Sequence, residues 1–188
     1  MAPDILPLIV RSLDSREPPA EGSRRAAVSV ILTGDSSPSV LLIKRAERAG
    51  DPWSGQIAFP GGKAQGDGET ARMTAVRETI EEVGIDLDSS SEFLGYLKPL
   101  RTHTGNMDVV PSAFRLKAKV KVETNEEVSS YKWAGLEAFL GPGASSTHTV
   151  TILGESREVP AFRVGEYVVW GLTHRILTAL VSNVRSGV

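Results

Sequence analysis

Apolar residues recur along this chain with two different periods, and the period predicts the type of element. Two aliphatic stretches, residues 26–34 and 39–46, flank a short turn rich in serine with one proline and are expected to pair as a hairpin. The same pattern predicts extended segments at 56–60, 92–100 and 109–120 and a second hairpin within 150–164. Helical spacing predicts helices at 3–15, from Glu69 or Thr70 to Val83, and near the C-terminus at 168–184.

Both ends of the chain are expected to belong to one domain that comprises residues 1–188. Residues 1–25 are interpreted as an N-terminal helix and linker, and residues 166–185 as a C-terminal helix. The acidic segment NEEVSSYKWAGL, residues 125–136, is expected to contain a turn of helix. Because strands alternate with few helices, the predicted fold class is α/β, with a mixed β-sheet between helices.

The end of the central predicted helix, RETIEEVGID at residues 77–86, has an unfavourable distribution of charge. The helix is expected to stop at Gly84, since glycine often follows the last helical residue. Glu78, Glu81 and Glu82 crowd this C-terminal end, where the helix dipole is negative. Each acid there costs roughly 0.3–1 kcal/mol, before the repulsion between neighbouring acids is counted.

The predicted faces of this helix separate its apolar residues from its acids. At 100° per residue, the side expected to anchor the helix to the sheet carries Met73, Val76, Ile80 and Val83. The three glutamates fall on the opposite side, with Arg77 one turn before Glu81. Two interpretations stay open on these residues alone: a solvated acidic face, which is common, or a site for a divalent cation.

Composition limits the classes of function. The chain has 188 residues, no cysteine and a formal net charge of −2, from 21 basic and 23 acidic residues. Disulfides and thiolate sites are therefore excluded, and the near-neutral balance gives no support for nucleic-acid binding. Oxygen ligands without nearby cysteine or histidine favour Mg²⁺ or Mn²⁺ over zinc or copper. The N-terminus lacks a secretory signal pattern and no apolar run has bilayer length, so a soluble, cytoplasmic protein is expected.

The segment FPGGKAQGDGETARMTAVRETIEEVGID, residues 59–86, closely resembles the Nudix box, the signature of hydrolases that act on nucleoside diphosphates linked to another moiety. Its core pattern REUxEExGU, where U is an aliphatic residue, is matched by Arg77, Glu78, Thr79, Glu81, Glu82, Gly84 and Ile85. Thr79 replaces the usual aliphatic residue. Six residues rather than five separate Gly62 from Glu69, so either Glu69 or Asp67 is expected to take the structural role.

A second resemblance concerns the preceding segment, LLIKRAERAGDPWSGQIAFPGG at residues 41–62. It is similar to the motif LLTxRSxxxxRxxxGxxxFPGG of coenzyme A pyrophosphatases, a Nudix subgroup. The residues in register are Leu41, Leu42, Arg45, Gly55, Phe59, Pro60, Gly61 and Gly62. Asp51 stands where the subgroup has arginine, which removes a cation that could meet an anionic substrate.

The resemblance implies a metal-dependent pyrophosphohydrolase in which water attacks phosphorus. The implied metal ligands, for Mg²⁺ or Mn²⁺, are Glu78, Glu81, Glu82 and a backbone carbonyl near Gly62. Glu78 and the loop residue Glu127 are the candidate bases, and Arg77 is expected to orient rather than react. Candidate substrate-binding residues are Arg45, Trp53, Gly61 and Gly62. For Arg45 a surface ion pair, and for Trp53 a packing role, are the alternatives.

Three functions remain open at this point. Coenzyme A or its thioesters are the first substrates that the subgroup motif implies. Nucleoside triphosphates or ADP-ribose, cleaved by the same chemistry, are the alternative that Asp51 favours. A catalytically inactive nucleotide-binding module is the alternative from another class, although such modules normally lose the glutamates that this chain retains. The expected partner is a small nucleotide-derived substrate, and the resemblance also allows a homodimer.

Overall fold

The computed structural model describes residues 5–19, 24–34, 37–51, 53–103, 105–141, 143–152 and 154–186. The helices are α1 (Ile5–Val10), α2 (Ala71–Val83), α3 (Leu87–Ser90) and α4 (Gly171–Ser186), with a 3-10 helix at Leu136–Phe139. The strands before α3 are β1 (Arg25–Thr33), β2 (Ser39–Arg45), β3 (Ile57–Ala58) and β4 (Gly61–Lys63). The later strands are β5 (Ser91–Tyr96), β6 (Leu100–Arg101), β7 (Asp108–Leu116), β8 (Val128–Gly135), β9 (Ser145–Ile152), β10 (Glu155–Val164) and β11 (Tyr167–Trp170).

The main sheet is mixed, because β1 runs parallel to β7 while its other pairs are antiparallel. Strand β8 pairs along the length of β2, and β5 and β6 pair with β7. Strands β9, β10 and β11 form a separate antiparallel sheet, which extends the hairpin predicted within 150–164. The predicted α/β fold with a mixed sheet between helices is confirmed.

Hydrophobic residues fill both faces of the main sheet. Along β2, Val40 and Leu42 point into the core that contains α1 and α4, whereas Leu41 and Ile43 point into the core beneath α2. This alternation follows from the two-residue period of a strand, and buried residues on both faces give β2 its continuous apolar run. The sheet is therefore the middle layer of an α/β/α sandwich.

The predicted hairpin of β1 and β2 is present, but its strands diverge soon after the turn. Their registered pairs are Leu32 with Val40 and Thr33 with Ser39. Farther from the turn, β3 pairs with β2 and β4 pairs with β1, where Gly61 lies opposite Val28. The short segment 57–63 thus occupies the gap between the two strands and places Gly61 and Gly62 under α2.

Both ends of α2 agree with the prediction. The Thr70 side chain accepts a hydrogen bond from the backbone N–H of Met73 at 3.1 Å, as an N-cap residue does. Gly84 adopts the left-handed conformation with φ of 69°, and its N–H donates to the carbonyl of Ile80. Glu17, in the segment before β1, accepts a bond from the N–H of Ala71 and so satisfies another free donor of the first turn.

The predicted faces of α2 are only partly correct: Val76 and Val83 are buried as expected, but the other two apolar residues are not. Met73 and Ile80 are 53% and 47% exposed, whereas Glu82 is buried. The residues that the helix buries are Ala71, Thr74, Ala75, Val76, Thr79, Glu82 and Val83. The cause is close approach: the hydroxyl of Ser29 on β1 donates directly to the backbone carbonyl of Ala75 at 3.0 Å. Such a short separation leaves room for alanine and threonine, not for large aliphatic side chains.

Three predicted boundaries also need correction. The segment 125–136 is mostly strand β8, and its helical turn begins only at its last residue, Leu136. The predicted C-terminal helix 166–185 starts later, because Tyr167–Trp170 forms β11 against β10. The N-terminal helix is shorter than 3–15 and spans Ile5–Val10, while residues 1–4 lie outside the described ranges.

A buried hydroxyl pair under α2 explains why threonine replaces an aliphatic residue at position 79. Its Oγ1 lies 2.7 Å from the Ser29 hydroxyl and 2.7 Å from the carbonyl of Ala75. We expect Ser29→Ala and Thr79→Val each to lower the free energy of unfolding by about 1 kcal/mol, because each leaves a buried polar group with one partner fewer. The double variant should lose less than the sum of the single losses.

Urea unfolding of the four proteins in this cycle measures the coupling. Thr149→Val, at an exposed position on β9, is the matched control and should change stability little. Additive losses in the double variant would contradict the proposed coupling.

Candidate active site

Two carboxylates of α2 pack directly against the backbone of Gly61 and Gly62. The N–H of Gly61 donates to Oε2 of Glu82 at 2.9 Å. A Cβ at position 62 would lie 2.5 Å from Cδ of Glu78, so only glycine leaves room for this carboxyl group. A Cβ at position 61 would lie 2.6 Å from Cα of Val28 on the neighbouring strand. The double glycine therefore allows β1, α2 and the carboxylates of Glu78 and Glu82 to lie close together.

Glu82 is a buried acid among other charged groups. Only 4% of its surface is exposed, and burial raises its pKa from 4.5 to about 7. The charges of Glu78 and Glu127 contribute to this rise of the pKa, while the N–H of Gly61 and the charge of Arg45 oppose it. Ionised Glu82 thus lies where negative charge accumulates and water is scarce, an arrangement that a bound cation would stabilise.

Arg77 holds the acids of α2 together through its planar guanidinium. Its Nε donates to Glu69 at 2.8 Å, its Nη1 donates to Glu78 at 2.8 Å, and its Nη2 donates to the carbonyl of Lys63 at 3.0 Å. Nη1 is also 3.4 Å from the exposed carboxylate of Glu81. These contacts fit the orienting role predicted for Arg77.

Glu69, rather than Asp67, receives the Arg77 guanidinium. The hydrogen bond from Arg77 is the largest cause that lowers the pKa of Glu69 to about 2, and the N–H of Gln65 contributes as well. The extra residue in the loop between Gly62 and Glu69 therefore leaves the arginine–glutamate contact in place. At the middle of this loop, Gly66 and Gly68 are exposed, and a Cβ at either position would contact none of the described atoms outside the adjoining residues, so the additional length projects outward.

Arg45 lies at the end of β2, on the same face as Leu41 and Ile43 and hence on the side of α2. Its Nη2 donates to Oδ2 of Asp51 at 3.0 Å, so the ion pair expected as the alternative is present, and substrate binding by Arg45 stays a prediction. Trp53, 42% exposed, follows in the same loop, and its N–H donates to Oδ1 of Asp51 at 2.9 Å.

The loop after β2 also contacts the segment that carries Glu127. The N–H of Ala46 donates to the carbonyl of Glu127 at 2.8 Å, and Arg48 lies 3.6 Å from the Glu127 carboxylate. The pairing of β8 with β2 places Glu127 beside the end of β2, near enough for its charge to act on Glu82. Sequence reasoning allowed an ion pair for Arg45 without naming its partner, although the opposite charge at position 51 was a usable signal, and it missed the Arg48–Glu127 pair.

The donor atoms of Glu78, Glu81 and Glu82 are of the kind that binds a divalent metal ion. Carboxylate and carbonyl oxygens are the ligands that Mg²⁺ and Mn²⁺ prefer. Within the described ranges, no three acidic or histidine side chains already converge as a metal site. Glu78 and Glu81 are turned toward Arg77, whereas Glu82 is turned toward Gly61. The charge and chemistry fit a divalent cation, and binding would require Glu78 and Glu81 to rotate.

A helix that holds acids over a double-glycine strand, inside an α/β/α sandwich, defines a class of hydrolase. Residues 23–152 match the family model described as NUDIX domain. The chain is 34% identical over 89% of its length to Nudix hydrolase 15, mitochondrial, of Arabidopsis thaliana, and 32% identical over 86% to the Nudix hydrolase NudL of Yersinia pestis. The chain belongs to the Nudix family, and the predicted enzyme class is confirmed.

The similarity extends to solved structures. A MutT/nudix family protein from Enterococcus faecalis superimposes with a TM-score of 0.56 over 92% of this chain and 66% of that protein, at 21% identity, which shows the fold. The chain spans 61% of the length of the plant relative and 80% of the Yersinia relative. Nudix hydrolases generally use divalent metal ions and act on small nucleotide-derived substrates.

Several expectations stay predictions after these comparisons: the single domain 1–188, the homodimer and the cytoplasmic location. The name of the plant relative places that protein in the mitochondrion. In the part of the chain that the structure describes, no helix combines the length and apolar character needed to cross a membrane.

The contact between Gly62 and Glu78 generates a first test of the site. We expect Gly62→Ala to reduce kcat by about 100-fold, because the new methyl group displaces the Glu78 carboxyl group. Gly68→Ala, in open space on the same loop, is the matched control and should retain activity. Steady-state kinetics beside thermal unfolding measures both. Equal activity of the two folded variants would show that the position of Glu78 is not needed.

The buried acid generates a second test, on stability. Because the folded-state pKa of Glu82, about 7, lies above its ordinary value of 4.5, its contribution is present below pH 4.5 and is lost as the pH rises through 7. We compare the free energy of unfolding at pH 5 and pH 8 in metal-free buffer. From the lower to the higher pH, this free energy should fall by about 2 kcal/mol more for the natural chain than for Glu82→Gln.

Urea unfolding at both pH values measures this difference. Glu81→Gln, which removes an exposed acid of the same helix, should keep the pH dependence of the natural chain. Mg²⁺ or Mn²⁺ at pH 8 should restore stability to the natural chain more than to Glu82→Gln. Identical pH profiles for the natural chain and Glu82→Gln would contradict the assignment.

Proposed function

We propose that this chain is a metal-dependent pyrophosphohydrolase that cleaves a nucleoside diphosphate linked to another moiety by attack of water on phosphorus. The observation that carries the proposal is the burial of Glu82 against Gly61, with Glu78, Glu127 and Arg45 close enough to shift its pKa. A substrate with a diphosphate link supplies the negative charge that the metal and Arg45 would meet together.

The ligands proposed for the metal are the carboxylates of Glu78, Glu81 and Glu82 and the backbone carbonyl of Gly62. Bound there, a divalent ion neutralises phosphate charge and lowers the pKa of water. The chain's own part is to fix these groups: Gly61 holds Glu82, and Arg77 holds Glu78 until the site is loaded.

The proposed base is Glu78, with Glu127 as the second candidate. Glu78 belongs to the rigid helix, which favours accurate placement of a proton acceptor, whereas Glu127 lies on an exposed turn. Glu127 nevertheless acts on Glu82 through its charge and is held near the loop by Arg48. Arg77 is proposed as a positioning residue that keeps its charge throughout.

For the substrate, we propose Arg45, Trp53 and the Gly61–Gly62 backbone as contacts. Coenzyme A or its thioesters are proposed first, from the motif at 41–62, and cleavage would give a 3′,5′-ADP product and a 4′-phosphopantetheine product. The exposed indole of Trp53 is able to stack on a base. Nucleoside triphosphates or ADP-ribose are the second candidate, because Asp51 neutralises Arg45.

An activity panel tests the function. We expect the natural chain with Mg²⁺ or Mn²⁺, and not with a chelator, to hydrolyse coenzyme A, ADP-ribose or a nucleoside triphosphate, with masses of the products identifying the bond cleaved. Glu78→Gln should lower kcat by about 10²–10⁴-fold, the usual contribution of a general base. Glu127→Gln should have the smaller effect.

Glu126→Gln is the matched control, because it removes a neighbouring exposed acid. Unchanged turnover of folded Glu78→Gln would exclude it from the reaction. No hydrolysis of any substrate by the natural chain with either metal would favour the inactive nucleotide-binding module.

A further inference from the structure

Asp51 is fixed by two hydrogen bonds that use different oxygen atoms. Oδ1 accepts the N–H of Trp53, two residues later in the same turn, and Oδ2 accepts Nη2 of Arg45. The first bond anchors the carboxylate to its own loop and the second ties that loop to the end of β2. Because both oxygens are engaged, Asp51 holds Arg45 by a single bond rather than by a two-point fork.

The Arg45 guanidinium keeps donors that Asp51 does not use. Its Nε is buried and has no hydrogen-bond partner among the described residues. Its charge acts on Glu82, which places it within electrostatic range of the buried acid. Arg45 is thus held by Asp51 through Nη2 and keeps further N–H donors that are available to a group bound near Glu82.

The charge at this edge of the site is limited by Asp51. The Arg45–Asp51 pair is neutral as a unit, and the neighbouring Arg48 is opposed by Glu127. A neutral pair can still donate a hydrogen bond to a diphosphate oxygen. The neutral pair does not attract an additional phosphate group beyond the diphosphate, and the carboxylate of Asp51 repels such a group when it comes close.

We propose that Asp51 is a specificity-determining residue: it positions Arg45 for the diphosphate and disfavours substrates whose nucleoside carries an additional phosphate group. The preferred class is then nucleoside diphosphate compounds without that phosphate, such as NADH or the dephospho form of coenzyme A, and among the proposed substrates this role of Asp51 disfavours coenzyme A itself, which the motif at 41–62 implies. This inference rests on the proposed pyrophosphohydrolase function.

Paired substrates test the inference. Coenzyme A and NADPH each carry one phosphate more than dephospho-coenzyme A and NADH, and kcat/KM is measured for both members of each pair. Asp51→Asn removes the charge but keeps an oxygen that can accept the Trp53 N–H. We expect the natural chain to prefer the phosphate-free member and Asp51→Asn to reduce this preference about fivefold, with Asp51→Arg reducing it further.

Glu47→Gln is the matched control, since it removes one negative charge from an exposed position of the same loop. Its preference should equal that of the natural chain. A preference that Asp51→Asn leaves unchanged, or that Glu47→Gln reduces equally, overturns the inference. Measurements on the natural chain alone give a second test: the preference should narrow as salt is raised, because salt screens the repulsion.

Different results would contradict the pyrophosphohydrolase activity and the role of Asp51. Absence of hydrolysis of all four compounds by the natural chain with metal counts against the pyrophosphohydrolase itself. Hydrolysis with no preference for the phosphate-free members counts only against the role of Asp51.

Discussion

The close contact between helix α2 and the strand at Gly61 and Gly62 is the constraint on which the structure of the site depends. Two acids reach the backbone there, one through the N–H of Gly61 and one through the space above Gly62. The helix comes this near only because alanine and threonine face the sheet and because the Ser29 hydroxyl bonds its backbone. The short separation between α2 and the sheet therefore determines both the packing beneath the helix and the position of its carboxylates.

This arrangement places negative charge in a poorly solvated position, and the guanidinium of Arg77 neutralises part of that charge. Arg77 bonds Glu69 and Glu78 and approaches Glu81, so one guanidinium links three acids from two segments. Glu82 lies beyond its reach, paired with a backbone donor instead. Glu82, the most buried of these acids, therefore has no arginine partner within the described ranges. A cation bound beside Glu82 would stabilise the site more than one bound beside the other acids.

Sequence patterns predicted the elements that local physics determines. The ends of α2 at Thr70 and Gly84 follow from capping, and the sandwich follows from the alternation of strands and helices. Hydrophobicity gave only part of the buried face of α2, because small residues rather than Met73 and Ile80 permit close packing. The segment 125–136 has two acids near its start and is expected from its sequence to contain a turn of helix, whereas pairing with β2 makes Val128–Gly135 extended. The Arg45–Asp51 pair depends on a loop conformation that no periodicity encodes.

The loop that joins Gly62 to Glu69 is anchored at both ends, by the pairing of β4 with β1 and by the Arg77–Glu69 contact, while its middle touches little. Insertions can accumulate in such a segment during evolution without disturbing the chemistry on either side. Counting residues from the glycines would then misalign homologous acids, whereas counting backward from the arginine of the helix keeps them in register.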